Sequence, residues 1–450
     1  MRLPLPLMAR LLLGGLLLAG LTGCERPLID VRPEVTVVAP DLEEVLPPGP
    51  LTLVVEAAPF LTRLEVDGLA LTQDPESGRW RAALEPPVGL PTLVLTAFDG
   101  ERVARVDTLT LAVDAPPGRL PGPALPEPRG GHTATLLPDG RVLVAGGAPS
   151  IEAEASPSAF VLDPTGERFQ RLPFGLLAAR TGHTATLLPD GRVLILGGSL
   201  RETPLSPDDL VSTVELFDPA SARFTDVVME GAPVRRTFHT ASVRQTESGL
   251  FIDLYGGVGV VRETPPTLGT RGDVRTFALR ENTLVAAGPD PGLLVDELWG
   301  HTQTALTERP VGAPGQYLVA GTFFAGDLRE RVGLIFDWEA LSLQVDEATP
   351  LRPDRTRHAT VRLDDDRLLV TGGIDFGSNS VARESLLYVP PTEGVFRYPS
   401  GGPASVSRYG HTMLTTPATN AENVRILVVG GFQAAGTALS SSLLLAPTTR

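Results

Sequence analysis

The chain holds six histidines, and they recur at nearly even intervals: His132, His183, His239, His301, His358 and His411, separated by 51, 56, 62, 57 and 53 residues. Imidazole is the commonest metal ligand and the usual acid–base group near neutral pH, so a ring of six invites a metal or a proton-transfer reading. Five of the six are preceded, three residues earlier, by an arginine: Arg129, Arg180, Arg236, Arg355 and Arg408. A guanidinium suits bidentate recognition of carboxylate or sulfate. Equivalent residues of a repeated unit are rotated away from one another. Adjacent histidines therefore stand too far apart to share an ion at the ~2.0–2.1 Å that metal ligation requires. No metal site and no cofactor is expected. The histidines are expected to be structural, each hydrogen-bonded to position nearby backbone. For the arginines two roles are open: a ligand-binding ring, or pairing with carboxylates or carbonyls of a neighbouring unit.

The elements that carry these residues are written almost identically. "RGGHTATLLPDGRVLVAGG" (129–147) returns as "RTGHTATLLPDGRVLILGG" (180–198), and looser copies start near 236, 298, 355 and 408. Each unit reads as a strand after the His, a tight turn such as "PDG", and a second apolar strand ending in glycine. A variable loop then leads to a third strand ("AFVLDP", "TVELFDP", "VRTFAL", "VGLIFD", "SLLYVP", "SLLLAP") and a fourth that often opens on an aromatic (Phe169, Phe224, Phe396). Turn residues between short apolar runs signal hairpins. Four antiparallel strands in 50–60 residues make one propeller blade. Second strands such as "VLVA" and "VLIL" are apolar on both faces, as in a sheet packed between two neighbours.

The Arg-x-x-His start, the hairpin, the Gly-Gly doublet, the "FDP" strand and the late aromatic resemble the kelch repeat family over roughly 116–450. The resemblance implies an all-β, six-bladed kelch-type β-propeller. Two departures stand out. The late aromatic is Phe where kelch repeats usually have Trp, and the fourth unit has Leu298 and Thr322 where the others have Arg and Gly. Kelch-type propellers include galactose oxidase and sialic acid mutarotases. The oxidase chemistry requires a Tyr–Cys crosslink, and the only cysteine here, Cys24, lies in the signal region, outside the repeats. A mutarotase needs only a few Arg and carboxylates in a pocket.

The last unit ends at "LLLAPTTR" without a fourth strand, whereas "GRLPGPALPEPRGGH" before the first unit parallels "QRLPFGLLAARTGH" after its third strand. Residues near 118–121 are therefore expected to complete the last blade, which removes two open sheet edges.

Residues 1–23 read as a lipoprotein signal peptide: Arg2 and Arg10, an apolar run over 11–21 too short for a comfortable span, and "LTGC". "LTGC" resembles the bacterial lipobox, which implies lipid attachment at Cys24 and an envelope location. Glu25 after it favours the outer membrane. Residues 24–33 read as a tether. Residues 34–114 alternate apolar and polar in about six short strands, a small β-sandwich, and "VDGLAL…GRWRAAL…LVLTAFDG" resembles bacterial Ig-like domains, which act as spacers or adhesion modules.

All 38 basic residues are Arg, against 53 acidic ones, for a net charge of −15. That balance opposes nucleic acid, whose phosphates demand a basic face. The Gly-Gly doublets follow strands but open no helix, so they are not phosphate loops. "DDD" (364–366) reads as a solvated turn. The loops after the second strands vary most, which is where binding specificity usually resides. The expected function is a non-catalytic envelope lipoprotein whose propeller binds a protein or glycan, with a sugar-directed enzyme of the mutarotase type as the alternative.

Overall fold

The computed structural model describes residues 33–446 except for 88–90, 114–117, 288–296, 338–341, 351–354, 390–393, 399–404, 417–424 and shorter stretches between 308 and 379. The leader, Cys24 and most of the tether lie outside the described residues, as do Thr322 and the first two residues of "DDD".

Six antiparallel four-stranded blades follow one another from Thr133 to Ala446. Blade 1 comprises Thr133–Leu136, Val142–Ala145, Ala159–Leu162 and Phe169–Arg171, in that spatial order. The innermost strands of blades 2 to 6 are Thr184–Leu187, Thr240–Thr246, Thr302–Ala305, Ala359–Arg362 and Thr412–Thr416. Blade 6 takes its outer strand from the N-terminal side: Gly118–Pro121 lies antiparallel to Ser442–Ala446, with Gly118 opposite Ala446 and Pro121 opposite Leu443. Blades 2 and 3 share a further seam. Val228 to Glu230 pair in parallel with Thr283 to Val285, so their eight strands form one sheet.

The second strands explain why the blades stack. In Val142–Ala145 and Val193–Leu196 every side chain is buried, so each blade offers an apolar face to both neighbours. Leu143 and Val161 of blade 1 pack on Val193, Ile195 and Phe217 of blade 2. Val144 and Phe160, on the other face, pack on Leu427 and Val429 of blade 6. Burial of such side chains stabilises the fold by about 1.5–3 kcal/mol each.

Residues 35–113 form two four-stranded sheets around a separate core that includes Leu53, Val55, Leu64, Trp80, Leu95 and Leu111. The parallel pair Val45–Leu46 and Ala112–Val113 lies at the joint with the propeller. Val45 and Ala112 are buried among Val361, Leu387 and Tyr398 of blade 5 and Ile426, Val428 and Leu445 of blade 6. Pro33 accepts a hydrogen bond from Arg105, seven residues, or about 23 Å of strand, before Ala112. The chain leaves the sandwich through the joint.

Candidate binding site at the channel mouth

The residue before each histidine marks where the chain crosses from one blade to the innermost strand of the next. These six residues are Gly131, Gly182, Phe238, Gly300, Arg357 and Gly410, and all have positive φ, between +56° and +65°. Each N–H donates to the carbonyl of its counterpart in the preceding blade: Gly182 to Gly131, Phe238 to Gly182, Gly300 to Phe238, Arg357 to Gly300, Gly410 to Arg357, and Gly131 to Gly410. The main chain therefore forms an unbroken hydrogen-bonded ring around the channel. Four members are glycine, the residue that adopts this conformation without steric cost. At Gly131 a Cβ would also collide with Thr181 Oγ1 and Glu202. Phe238 and Arg357 hold the same conformation with side chains, and such non-glycine residues cluster at functional sites.

Arg357 and Phe238 line a cavity of about 120 Å³ together with Glu202 and the six histidines. Arg357 belongs to blade 5. Its Nη2 forms an ion pair with Glu202, from the loop after the second strand of blade 2. Blades 2 and 5 are opposite members of the ring of six, so the pair spans the channel. Three aromatic rings surround the guanidinium, Tyr409 at 4.8 Å, Phe238 at 5.2 Å and Phe432 at 5.5 Å from the ring centroids, a cation–π arrangement. Trp299 packs beside Phe238 at 6.0 Å. Burial lowers the Arg357 pKa to about 10, which leaves it charged at neutral pH.

The Glu202 loop is held locally. Ser206 and Asp209 form a capping box on the short turn Pro207–Asp209. Asp209 also pairs with Arg201 at 3.2 Å, and the main chain of Leu200 donates to the Asp209 carbonyl. Thr181 Oγ1 donates to Glu202 Oε2. Both oxygens of the buried carboxylate therefore have partners.

The histidines all lie against this ring, buried, and each Nε2 meets a threonine of the preceding blade. His183 pairs with Thr133, His239 with Thr184, His301 with Thr240, His358 with Thr302, and His132 with Thr412, at 2.8–3.3 Å. His411 differs. The residue after His358 is Ala359, with no hydroxyl, so His411 bonds Thr371 on the second strand of blade 5 at 3.0 Å. Burial holds His132, His239, His301 and His358 down to about 3, with nearby arginines adding to the effect on His132, His239 and His358. It holds His183 and His411 well below the ordinary imidazole value. They are neutral packing groups. Among the described residues no three His, Cys, Asp or Glu come together as a metal site.

The arginines three residues earlier do not line the cavity, and the expectation of a ligand-binding ring at Arg129, Arg180, Arg236, Arg355 and Arg408 is corrected here. Each side chain is at most 5% exposed and turns back into its own blade. There Nη1 donates to the carbonyl of the first glycine of the doublet and to a second carbonyl at the start of the third strand. The pairs are Gly146 and Ser158 for Arg129, Gly197 and Thr213 for Arg180, Gly256 and Asp273 for Arg236, Gly372 and Glu384 for Arg355, and Gly430 and Ser441 for Arg408. The partners belong to the same blade, not to the neighbouring one. Carboxylates add to several of these contacts: Arg129 pairs with Glu127, Arg180 with Glu215, and Arg236 with Asp273. The neighbouring blade is reached through the backbone. The carbonyl of Arg180 accepts from Gly147 of blade 1, and that of Leu298 accepts from Gly257 of blade 3, so Leu298 keeps the main-chain role without the guanidinium.

Among the described residues, Glu202 and Arg357 are thus the charged residues that line the cavity, and the regular motif picks out neither. Arg357 had a signal: it replaces glycine in a slot that is glycine in four of six units. Glu202 lies in a variable loop and had none.

No protein-family profile matches the chain. Over 186 residues it is 28% identical to an F-box/kelch-repeat protein of Arabidopsis thaliana, an alignment that covers 36% of this chain and 38% of that relative. The chain therefore spans well under half the length of the curated relative it matches. A solved structure of the protein YjhT superposes with a TM-score of 0.52 at 15% sequence identity, covering 72% of this chain and 96% of that one. The fold is a kelch-type β-propeller, and the blade count, read from its own sheets, is six.

Proposed function

We propose that this protein is a non-catalytic cell-envelope lipoprotein, attached through Cys24, whose propeller binds a glycan or protein partner at the loop face around the channel mouth. The observation that carries the reading is the Arg357–Glu202 pair. Anomer exchange requires an acid or base free to act on the substrate, and the carboxylate of the mouth, Glu202, is committed to Arg357 and Thr181. Arg357 and Glu202 neutralise each other across the channel. The cavity beside them, about 120 Å³, is well below the roughly 300–1,000 Å³ of sites that engulf small molecules. Such a mouth suits recognition of a protruding group by a rigid surface. The sandwich, joined through the buried Val45 and Ala112, suits a stiff spacer between tether and propeller. Fold alone does not decide function; the mutarotase reading is the alternative, supported only by kelch-type likeness.

The test uses mature, lipid-free chain. Glycans and isolated envelope proteins are titrated against it, and thermal stabilisation and saturable binding are measured, since a ligand of the folded state must raise its stability. Binding without turnover that weakens in Arg357→Gly, and persists when Asp139 and Arg141 of the blade 1 hairpin are replaced, supports the proposal. Turnover of a sugar favours the alternative.

A further inference from the structure

The chemistry of the mouth narrows the ligand class, on the premise that the mouth binds a glycan at all. A guanidinium carries five N–H donors. Arg357 engages Glu202 through Nη2, and among the described residues Nε and Nη1 make no hydrogen bond, although the side chain is only 11% exposed. Neither nitrogen is among the fully buried unpaired atoms, so each can take an acceptor brought from outside the chain. Among the described lining residues the charge is balanced, because one cation, Arg357, faces one buried carboxylate, Glu202. A second carboxylate would arrive as an uncompensated charge in a confined site and would bear the desolvation cost of such a charge. A hydroxyl, ether or carbonyl oxygen carries no such cost. Phe238 lines the cavity and Trp299 packs beside it, both half-buried, their rings 6.0 Å apart and tilted by 56°. Phe238 offers flat apolar surface for the C–H face of a pyranose.

We infer that the channel mouth is a subsite for a neutral sugar residue. Its oxygens accept hydrogen bonds from Nε and Nη1 of Arg357 and its ring rests on Phe238. Glu202 is the specificity residue, since by neutralising Arg357 it excludes acidic sugars.

The test compares methyl β-glucoside with methyl β-glucuronide, which share a ring and differ by a carboxylate, using saturation-transfer NMR and titration calorimetry on the mature chain. The neutral glycoside is expected to bind at least about tenfold more tightly, a gap of about 1.4 kcal/mol. Glu202→Gln keeps the shape and removes the charge, so it should reverse the order, while Arg357→Gly should weaken both. Glucuronide binding as tight as glucoside in the unaltered chain overturns the inference and needs no variant to show it. Binding of neither sugar also overturns it. In that case a protein partner held by the same loops would leave the proposed function standing.

Discussion

His132 Nε2 lies 3.1 Å from Thr412 Oγ1, although 280 residues separate them. One residue earlier on each side, the Gly131 N–H donates to the Gly410 carbonyl. These contacts join the first blade to the last and are repeated, blade by blade, around the channel. The propeller is therefore held at its axis by two concentric rings, one of main-chain hydrogen bonds and one of His–Thr pairs, and at its rim by the strand Gly118–Pro121.

Thr412→Val should cost about 1–3 kcal/mol, because it leaves a buried imidazole nitrogen without its partner. Thr371→Val should cost about as much, although Thr371 lies on a second strand, because Ala359 cannot serve His411. Chemical denaturation of the two variants checks this. A negligible effect at Thr371 would contradict the rearranged sixth pair.

Acid should unfold the protein steeply. The six histidines are neutral when folded, with His132, His239, His301 and His358 held at about 3. In the unfolded chain each titrates near 6.5. The unfolded state therefore binds more protons at every pH between those values. Stability is fully retained above about pH 6.5 and falls as pH drops toward 3, by about 1.4 kcal/mol per pH unit for each histidine once the pH is well below 6.5. A pH titration by circular dichroism should show a cooperative transition in this window that takes up several protons. His301→Gln should reduce the proton uptake by about one.

Arg180 and Glu215 are both fully buried and paired. Glu215 also accepts from the main-chain N–H groups of Leu177 and Ala178. Arg180→Met leaves that carboxylate without its cation and should cost about 3–5 kcal/mol, whereas Arg180→Met with Glu215→Leu should recover part of the loss, since it removes the stranded charge but leaves the Leu177 and Ala178 N–H groups without their acceptor. Neither change should alter ligand binding in protein that remains folded, since Arg180 does not face the cavity. Weakened binding in the folded double variant would restore the arginines as ligand contacts.

The sandwich and propeller should unfold together. Val45 and Ala112 belong to the same apolar cluster as blades 5 and 6. Val45→Asp places an unpaired charge in that joint and should split a single calorimetric transition into two. Two transitions in the unaltered protein would mean that the joint transmits no stability.

The repeat was readable because the strands carry the packing. Apolar second strands, "PDG" turns and glycine doublets recur wherever a blade must stack on two neighbours, and the closing strand could be matched because "GRLP" repeats "QRLP". The direction of the arginines was not readable. A long side chain at the start of an innermost strand can reach the channel or fold back, and the choice depends on the free carbonyls of Gly146 and its equivalents, which only the three-dimensional arrangement reveals. The site itself escaped the repeat for a related reason. Arg357 departs from the repeat's glycine, and Glu202 lies in a loop whose sequence changes from unit to unit, so a search for recurring residues passes over both.

The most direct test of the account is to measure binding and anomer exchange on one sample. Free N-acetylneuraminic acid and free glucose would be titrated into the mature chain while NMR follows interconversion of their anomers. The account predicts saturable binding of glucose, weaker binding of the acid, and exchange at the rate of the buffer alone for both. Anomer exchange accelerated by the chain, and lost in Glu202→Gln, would contradict it and make the channel mouth an active site.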